Sequence, residues 1–185
     1  MEKATMRAIR VHVFGGPERL IYEEVPRPAA GPGEVLVRVH AAGVNPPDLY
    51  ARAAFADIPP ELRPEVPLPL TPGSDISGVV ADVGAGVTEW RPGDEVFGLV
   101  NFPGRASAYA EYVTAPAGHL ARRPAALDHV TAAAVPMAGL TAYQHLFEHL
   151  GPEYGSPPRG GTVLVNGAAG GVGHFAVQLA RVAGA

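Results

Sequence analysis

The sequence predicts a mixed β and α/β protein in which a β-rich body is followed by one strand–turn–helix unit. Short alternating runs separated by turn residues predict the body, because strands spaced in this way form closed or rolled sheets. The 23 glycines and 20 prolines among 185 residues support this view, since both residues end strands. A glycine-rich turn at 167–173, between an apolar run and an amphipathic segment, predicts the second part.

Alternation of apolar and polar side chains places the strands of the body. Val35, Val37 and Val39 share one face of their strand, and the residues between them share the other. Residues 91–94 have proline and glycine where a type II turn needs them, so a strand ends before them and another begins after them. The predicted strands cover residues 6–13, 21–25, 34–40, 79–83, 95–98 and 108–114.

Loops and helices follow from proline content and from apolar periodicity. Residues 51–72 are proline-rich and predict an irregular surface loop. Asp128 can cap a helix over 129–135, which Pro136 interrupts. A second helix is predicted over 139–150. Its apolar stripe consists of Leu140, Tyr143, Phe147 and Leu150.

These elements predict two domains. The β body covers residues 1–128, and residues 129–185 hold linking helices and the start of a nucleotide-binding domain. A proline- and glycine-rich loop at 151–161 separates the linking helices from the glycine turn.

Composition excludes several classes of function. The net charge of −4 and the absence of any lysine or arginine run argue against nucleic-acid and anionic-membrane partners. The absence of cysteine excludes disulfides, cysteine nucleophiles and thiolate zinc sites. The N-terminus lacks the apolar region of a signal peptide, and no apolar stretch approaches the ~20 residues that span a bilayer. We therefore expect a cytoplasmic protein.

The glycine turn carries the strongest chemical signal. Residues 162–165 predict a strand, and the glycines at 167, 170 and 173 lead into a helix. Backbone N–H groups at a helix start are unpaired and lie at the positive end of the helix dipole, so they suit a pyrophosphate. The alternative is an ordinary strand-to-helix loop with glycines for packing. The residue that distinguishes NAD from NADP lies ~20 positions further on, beyond Ala185, so that choice stays open.

A second pattern, at residues 145–149, is His-Leu-Phe-Glu-His. Histidines at i and i+4 lie on one helix face and can share a metal ion, which is the arrangement of inverted zinc proteases. The alternative is the polar face of a surface helix. Because no motif for a third ligand is evident, a metallopeptidase is the weaker hypothesis.

Six motifs in order resemble one family. They are residues 43–50 (GVNPPDLY), 72–80 (PGSDISGVV), 91–97 (RPGDEVF), 108–112 (AYAEY), 139–143 (GLTAY) and the glycine turn. In this order they resemble the medium-chain dehydrogenases/reductases, and within them the zinc-free, zeta-crystallin-like quinone oxidoreductases. The resemblance runs from about Met6 to the last residue.

The resemblance implies a GroES-like β-barrel body on the substrate side and a Rossmann domain that binds NADPH, with the active site in the cleft between them. Zinc-dependent members have a cysteine where this chain has Asn45, a histidine at Ser74 and a cysteine near Met137. Asparagine, serine and methionine do not make a zinc site, so no metal is expected.

The resemblance also implies roles for particular residues. Asn45 matches a position near the nicotinamide, where its amide can donate to a developing oxyanion. Tyr50 matches a tyrosine that lines the quinone pocket, and Asp48 is expected to fix the loop. Asn45 and Tyr50 are thus the expected catalytic residues, although packing or turn roles remain the alternative for each. The expected cofactor-binding residues are Asn45, Thr141, Gly167, Ala169, Gly170, Gly171, Val172 and Gly173.

The resulting expectation is an NADPH-dependent, zinc-independent oxidoreductase that transfers hydride to quinones or α,β-unsaturated carbonyls, with NAD left open. We expect an N-terminal fragment that is inactive alone and comes from a protein that is a homodimer at full length. Residues 160–185 are expected to pack poorly, to pack on the body, or to be completed by another polypeptide, since a parallel strand needs neighbours. The alternative is a non-catalytic GroES-like module whose vestigial nucleotide half serves assembly or protein binding.

Overall fold

The computed structural model describes residues 4–149 and 160–185. Strands dominate the first two thirds of these residues and helices the last third, so the predicted mixed class is confirmed. The strands are β1 (Thr5–Arg10), β2 (Ile21–Pro26), β3 (Glu34–Ala42), β4 (Asp75–Val83), β5 (Glu95–Leu99), β6 (Tyr112–Pro116) and β7 (Ala121–Arg122). The helices are α1 (Pro46–Arg52), α2 (His129–Ala133), α3 (Pro136–Tyr143) and α4 (Gly171–Ala183). Short 3₁₀ turns occur at Pro17–Arg19, Pro60–Leu62 and Ala117–His119.

The chain forms two compact units, Met1–Ala134 and Val135–Ala185. The first unit contains an antiparallel five-stranded sheet in the order β6-β3-β4-β5-β7 and a separate antiparallel pair, β1-β2. Isolated bridges join Ala8 to Ala110 and Val11 to Leu70. The predicted strand 6–13 therefore ends as a regular strand at Arg10.

Strand β3 runs through the middle of the core. Val35 and Val37 are fully buried, as the alternation predicts. Leu36, on the opposite face, is buried as well, and the pairing of β3 with β4 shifts register between Leu36 and Val37 and again between Val39 and Ala41. Such irregularities turn the strand locally, so simple alternation does not describe its burial. Residues from β3, β4, β5, β6 and the following turns make up the core: Val35, Val37, Ile76, Val80, Val96, Val100, Ala106, Ala108, Val113, Ala115, Ala117 and Leu120.

The turn at 91–94 has the predicted form. Asp94 donates its N–H to the carbonyl of Arg91 at 3.1 Å, and Gly93 has a φ of 96°. A type II turn requires a positive φ at its third residue, which glycine adopts without strain. The turn connects β4 to β5.

The proline-rich segment is irregular over most of its length. Helix α1 extends into it as far as Arg52, and a 3₁₀ turn occupies Pro60–Leu62. The Arg63 guanidinium donates to the carbonyls of Ile58 and Ala56, which folds the segment back on itself.

Helix α2 begins where its cap predicts. The Asp128 carboxylate accepts a hydrogen bond from the Thr131 N–H at 2.7 Å. The helix ends at Ala133, two residues earlier than predicted. Its first residue, His129, approaches the buried Ser77 of β4, with Nδ1 at 2.7 Å from Oγ.

The second unit begins with α3. Pro136 occupies its first turn, a position that needs no N–H donor, so the proline that interrupts α2 starts the next helix. The predicted helix 139–150 thus begins three residues earlier than expected. From Gln144 to His149 the helix is a π-helix, in which hydrogen bonds span five residues instead of four.

The predicted apolar stripe of this helix is wrong. Leu140 and Tyr143 are each 47% exposed, whereas Met137, Ala142 and Leu146 are buried. Apolar residues lie on all sides of α3, so the 3.6-residue period could not select its buried face, and the π-helical turn rotates the side chains that follow Tyr143. Leu150, the last residue of the predicted stripe, lies outside the described residues.

Residues 161–165 form no strand in the described part of the chain, so the predicted strand at 162–165 is wrong. Leu164 is 93% exposed. A strand of a parallel sheet is defined by hydrogen bonds to its neighbours, and none of the described strands pairs with this segment.

Helix α4 packs against α3 within the second unit and ends at Gly184, whose φ of 90° gives a left-handed cap. Among its apolar side chains, Val172 and Val182 are exposed, and Phe175 and Leu179 are half-buried. In the described ranges no helix combines the length and the hydropathy that crossing a bilayer requires.

Candidate functional site

Asn45 and Asp48 are fixed by the start of helix α1. Asn45 is the N-cap, with extended backbone, and prolines fill the first two helical positions. The Asp48 carboxylate accepts a hydrogen bond from the Asn45 N–H at 2.9 Å, which satisfies a donor at the helix start. Asp48 is buried, and this bond ties it to the residue that caps the helix.

The side chain of Asn45 is oriented by a residue from β4. Its Nδ2 donates to Oδ2 of Asp75 at 2.9 Å, and Asp75 is 1% exposed. The backbone of Asp75 also accepts the N–H of Gly43, just before the cap. A carboxamide has two N–H donors, so this bond uses one and fixes the direction of the other.

Tyr109 completes this cluster. Its hydroxyl donates to Oδ2 of Asp48 at 2.9 Å, the same oxygen that accepts the Asn45 N–H. Burial, and then the charge and hydrogen bond of Asp48, raise the pKa of the Tyr109 phenol well above its ordinary value. The phenol therefore stays protonated and remains a donor. We name the four residues Asn45, Asp48, Asp75 and Tyr109 the Asn45 cluster.

Gly73 makes room for the ring of Tyr109. A Cβ at Gly73 would lie 2.3 Å from Cδ1 of Tyr109, and the φ of Gly73 is +90°. Close approach and backbone conformation both require glycine at this position.

Tyr50 lies on the exposed side of α1. Its side chain is 51% exposed, and its ring lies 6.4 Å from that of Phe55. Tyr50 lines an open cavity of about 430 Å³, which we name the α1 cavity. Its walls are α1, the segment that follows it and the loop 102–106. The residues that line it are Pro47, Asp48, Tyr50, Ala51, Phe55, Pro64, Glu65, Val66, Pro67, Leu70, Thr71, Pro72, Gly73, Ser74, Phe102, Pro103, Gly104, Arg105 and Ala106.

Sequence patterns missed several of these residues. Asp75 and Tyr109 lie 30 and 61 residues from their partners Asn45 and Asp48, and nothing local to either residue indicates the contact. Phe55 and Phe102 lie in loops without periodicity. The motifs at 72–80 and 108–112 contain Asp75 and Tyr109, but the resemblance implies no role for either residue.

The glycine turn lies in the second unit and has the form that a diphosphate site needs. Gly170 is an extended N-cap without a side chain, and the chain turns at Gly167, whose φ is +75°. The N–H of Gly170 donates to Gly167 at 2.9 Å, and the first intrahelical bond is donated by His174. The N–H groups of the first three helical residues, 171–173, therefore have no acceptor within the helix.

The turn also needs its last glycine. A Cβ at Gly173 would lie 2.2 Å from the carbonyl oxygen of Gly167. The first turn of α4 contains no acidic residue that would repel an anion. Residues 166–172, including Ala169, Gly171 and Val172, are exposed. These residues fit the phosphates of a dinucleotide, because N–H donors, a dipole and an approachable backbone coincide.

Thr141 has its hydroxyl proton engaged. Its Oγ1 donates to the carbonyl of Met137 at 2.7 Å, one helical turn earlier. The oxygen can still accept a hydrogen bond, so an amide of a cofactor would be a suitable partner.

The histidine pair at 145–149 lies on the π-helical turn. The rings of His145 and His149 are 6.0 Å apart, and Nδ1 of His145 contacts the carbonyl of Thr141 at 2.8 Å. Within residues 4–149 and 160–185, no three histidine, cysteine or acidic side chains are placed to hold a metal ion together.

Comparison with known proteins identifies the family. Residues 31–125, about half of the chain, match the alcohol dehydrogenase GroES-like domain. The chain belongs to the medium-chain dehydrogenase/reductase superfamily. Within it the chain is quinone oxidoreductase-like: it is 39% identical to rat quinone oxidoreductase and 38% identical to the human protein, over 180 residues in each case. These alignments cover 97% of this chain and 50% of each relative.

Solved structures of this superfamily agree with that assignment. A quinone oxidoreductase from Coxiella burnetii is 33% identical, with a TM-score of 0.80, and the match covers 98% of this chain and 55% of that one. A mycobacterial protein solved in complex with NADPH is 37% identical, with a TM-score of 0.79, over 97% of this chain and 51% of that one. The chain spans about half the length of the relatives that it matches.

Proposed function

We propose that this chain supplies the substrate cavity and the first cofactor-binding turn of an NADPH-dependent, zinc-independent oxidoreductase. The observation that carries the proposal is the start of α4, where three N–H groups without helical acceptors lie on a backbone that tolerates no side chain at Gly173. The relatives named quinone oxidoreductase and the NADPH complex of a similar protein support it.

The cofactor-binding residues of the proposal are the turn 167–173, with Thr141 and Asn45 as further contacts. A bound NADPH supplies a hydride to the substrate carbon and becomes NADP⁺. The helix start binds the diphosphate through its N–H groups and the helix dipole.

The proposed catalytic residues orient the acceptor of the hydride. One N–H of Asn45 is fixed on Asp75, so its second N–H has a defined direction and can donate to the oxygen on which charge develops. Tyr50 presents its hydroxyl and ring at the α1 cavity. The chain has Asn45, Ser74 and Met137 instead of a cysteine and histidine set, so polarisation of the carbonyl rests on hydrogen bonds. Quinones and α,β-unsaturated carbonyls are the proposed substrates, since both accept hydride without a metal.

The test is NADPH consumption by the full-length protein in which this sequence occurs, with 1,2-naphthoquinone and with 3-buten-2-one as acceptors. We expect turnover that survives treatment with a chelator. Activity that disappears with the chelator and returns with zinc would contradict the proposal, as would the absence of any turnover.

Gly173→Ala tests the glycine turn directly. Its methyl group meets the Gly167 carbonyl, so we expect NADPH affinity to fall by at least roughly tenfold, the loss that follows from displaced donors. Gly118→Ala is the matched control, because a Cβ there meets nothing within 4 Å and its φ is not positive. Fluorescence titration with NADPH measures the affinity of both variants. Equal affinities would contradict the proposal that the glycine turn binds the cofactor.

A further inference from the structure

Two phenylalanines stand on different walls of the α1 cavity. Phe55 belongs to the segment that follows α1, and Phe102 belongs to the loop between β5 and β6. Phe102 is 43% exposed although it is large and apolar. With Tyr50, they give the cavity three aromatic side chains.

The backbone is unusual at Phe55, whose φ is 52°. Asn101, directly before Phe102, has the same φ, which asparagine adopts more readily than most residues. A bulky residue in the left-handed region is an outlier that persists only where its surroundings fix it. Such strain is concentrated at sites that contact ligands.

Hydrogen bonds fix each of these positions. The N–H of Phe55 donates to the Tyr50 carbonyl at 2.7 Å. Asn101 donates its N–H to Nδ1 of His119 at 3.1 Å and its Nδ2 to the Thr114 carbonyl at 3.0 Å. The two aromatic side chains are therefore presented by pinned loops.

We propose that Phe55 and Phe102 determine substrate specificity by binding an apolar, ring-bearing substituent of the conjugated carbonyl substrate. The inference rests on the proposed function and adds to it the part of the substrate remote from the reacting carbon. Tyr50 contributes to both parts of the site, because it is a proposed catalytic residue and it also lines the α1 cavity.

Size supports this assignment. A cavity of about 430 Å³ lies within the range of about 300–1,000 Å³ that is typical of pockets for drug-sized ligands. A minimal enone such as 3-buten-2-one is much smaller than such a ligand, so the cavity has room for a substituent.

Charge supports a neutral substituent. The cavity has one exposed acid, Glu65, and one exposed base, Arg105, which oppose each other's effect. The Arg105 guanidinium donates to the Pro69 carbonyl at 3.0 Å. The third charged residue, Asp48, is engaged by Tyr109 and by the Asn45 N–H. Aromatic walls with balanced charge favour an uncharged ring.

Binding to the 185-residue chain is the first test, and it needs neither cofactor nor turnover. Ligand-observed NMR compares 4-phenyl-2-butanone, a saturated ketone that cannot accept hydride at carbon–carbon unsaturation, with 2-butanone. We expect the phenyl ketone to bind more tightly, and Phe55→Ala and Phe102→Ala each to weaken it roughly tenfold, the discrimination typical of a lost apolar contact. Leu62→Ala is the control, since Leu62 is 70% exposed in the same segment and does not line the cavity.

Two results overturn the assignment at this stage: wild-type affinity in both phenylalanine variants, or equal binding of the two ketones. Phe55→Leu and Phe102→Leu keep an apolar side chain and guard against misfolding. They are expected to give intermediate affinities, and circular dichroism checks their secondary structure.

Kinetics of the full-length protein are the second test. The substrates are 4-phenyl-3-buten-2-one and 3-buten-2-one. We expect Phe55→Ala and Phe102→Ala to lower the ratio of kcat/KM for the phenyl enone to kcat/KM for the small enone roughly tenfold, mainly through a higher KM for the phenyl enone, and Leu62→Ala to leave that ratio unchanged. Equal losses on both substrates overturn the specificity role. Turnover of neither enone, with intact binding of the phenyl ketone, contradicts enone reduction as a proposed function but not the cavity assignment.

Discussion

Replacing Tyr109 with phenylalanine tests whether the Asn45 cluster is held together as the distances indicate. The change removes one hydroxyl donor from Asp48 and keeps the ring that packs on Gly73. Asp48 is buried and retains only the Asn45 N–H among the hydrogen bonds described above. Hydrogen bonds to charged groups contribute about 1.5–3 kcal/mol when buried, and this one is partly buried, so we expect unfolding free energy to fall by about 1–2 kcal/mol.

Urea unfolding followed by tryptophan fluorescence measures this loss. Trp90 is the single tryptophan, and it packs against the core of the first unit, so its signal reports the unit that contains Tyr109. Tyr22→Phe is the matched control, because Tyr22 is 66% exposed and its ring contact with Arg7 survives the change. We expect the control to lie within about 0.5 kcal/mol of the native chain. Equal stabilities of the two variants would refute the role given to the Tyr109 hydroxyl.

The same variant changes the alkaline limit of stability. The pKa of Tyr109 is raised in the folded state above its ordinary value of 10.0, mainly by burial and by Asp48. The unfolded chain therefore releases this proton first, and unfolding free energy falls as pH rises above about 10. Tyr109→Phe should flatten that part of the curve relative to Tyr22→Phe. Parallel curves for the two variants would contradict the hydrogen bond to Asp48.

Two further predictions concern the first unit. Burial, and then the charge of His40, lower the pKa of His129 below its ordinary 6.5, so the unfolded state binds the proton first and unfolding free energy should fall as pH drops below about 6.5. Melting temperatures across that range should show a slope that His129→Gln reduces, and an unchanged slope would contradict the burial of a neutral imidazole. Gly73→Ala should cost about 2–4 kcal/mol, because it combines a left-handed φ with a clash against Tyr109. Urea unfolding measures the loss of unfolding free energy in this variant and in the control Gly118→Ala. Equal losses in the two variants would contradict the predicted clash with the Tyr109 ring.

Local rules predicted much of the fold. The Asp128 cap depends on a residue three positions away, and the 91–94 turn depends on two adjacent residues. Each could therefore be predicted from a short segment of sequence. The strand that contains Val35 and Val37 could also be predicted, since the alternation of apolar and polar residues is a local property. The buried face of α3 could not, because apolar residues lie on all sides of this helix and the periodicity favours no single face.

In the candidate site, too, some residues could be predicted from short motifs and others are brought together only by the fold. Position in a short motif indicated Asn45, Tyr50 and Asp48, but their roles came from resemblance and remain proposals. What holds Asn45 in place is Asp75, on a strand 30 residues away, and such pairs are set by the fold and not by spacing. Phe55 and Phe102 were not predicted as cavity residues, because both lie in loops, where side chains follow no periodic pattern.

The glycine turn shows why a helix start can be predicted where the strand before it cannot. The turn is closed by bonds over three and four residues, from Gly170 to Gly167 and from His174 to Gly170, so the sequence between 167 and 174 contains all that it needs. Residues 161–165 need a neighbouring strand for every ladder bond, and none of the described strands pairs with them. The N–H donors of the proposed diphosphate site are therefore organised by local structure, whereas a strand at 161–165 would depend on distant segments. Diphosphate affinity should accordingly respond to Gly173→Ala more strongly than to substitutions within 161–165 that keep the turn intact.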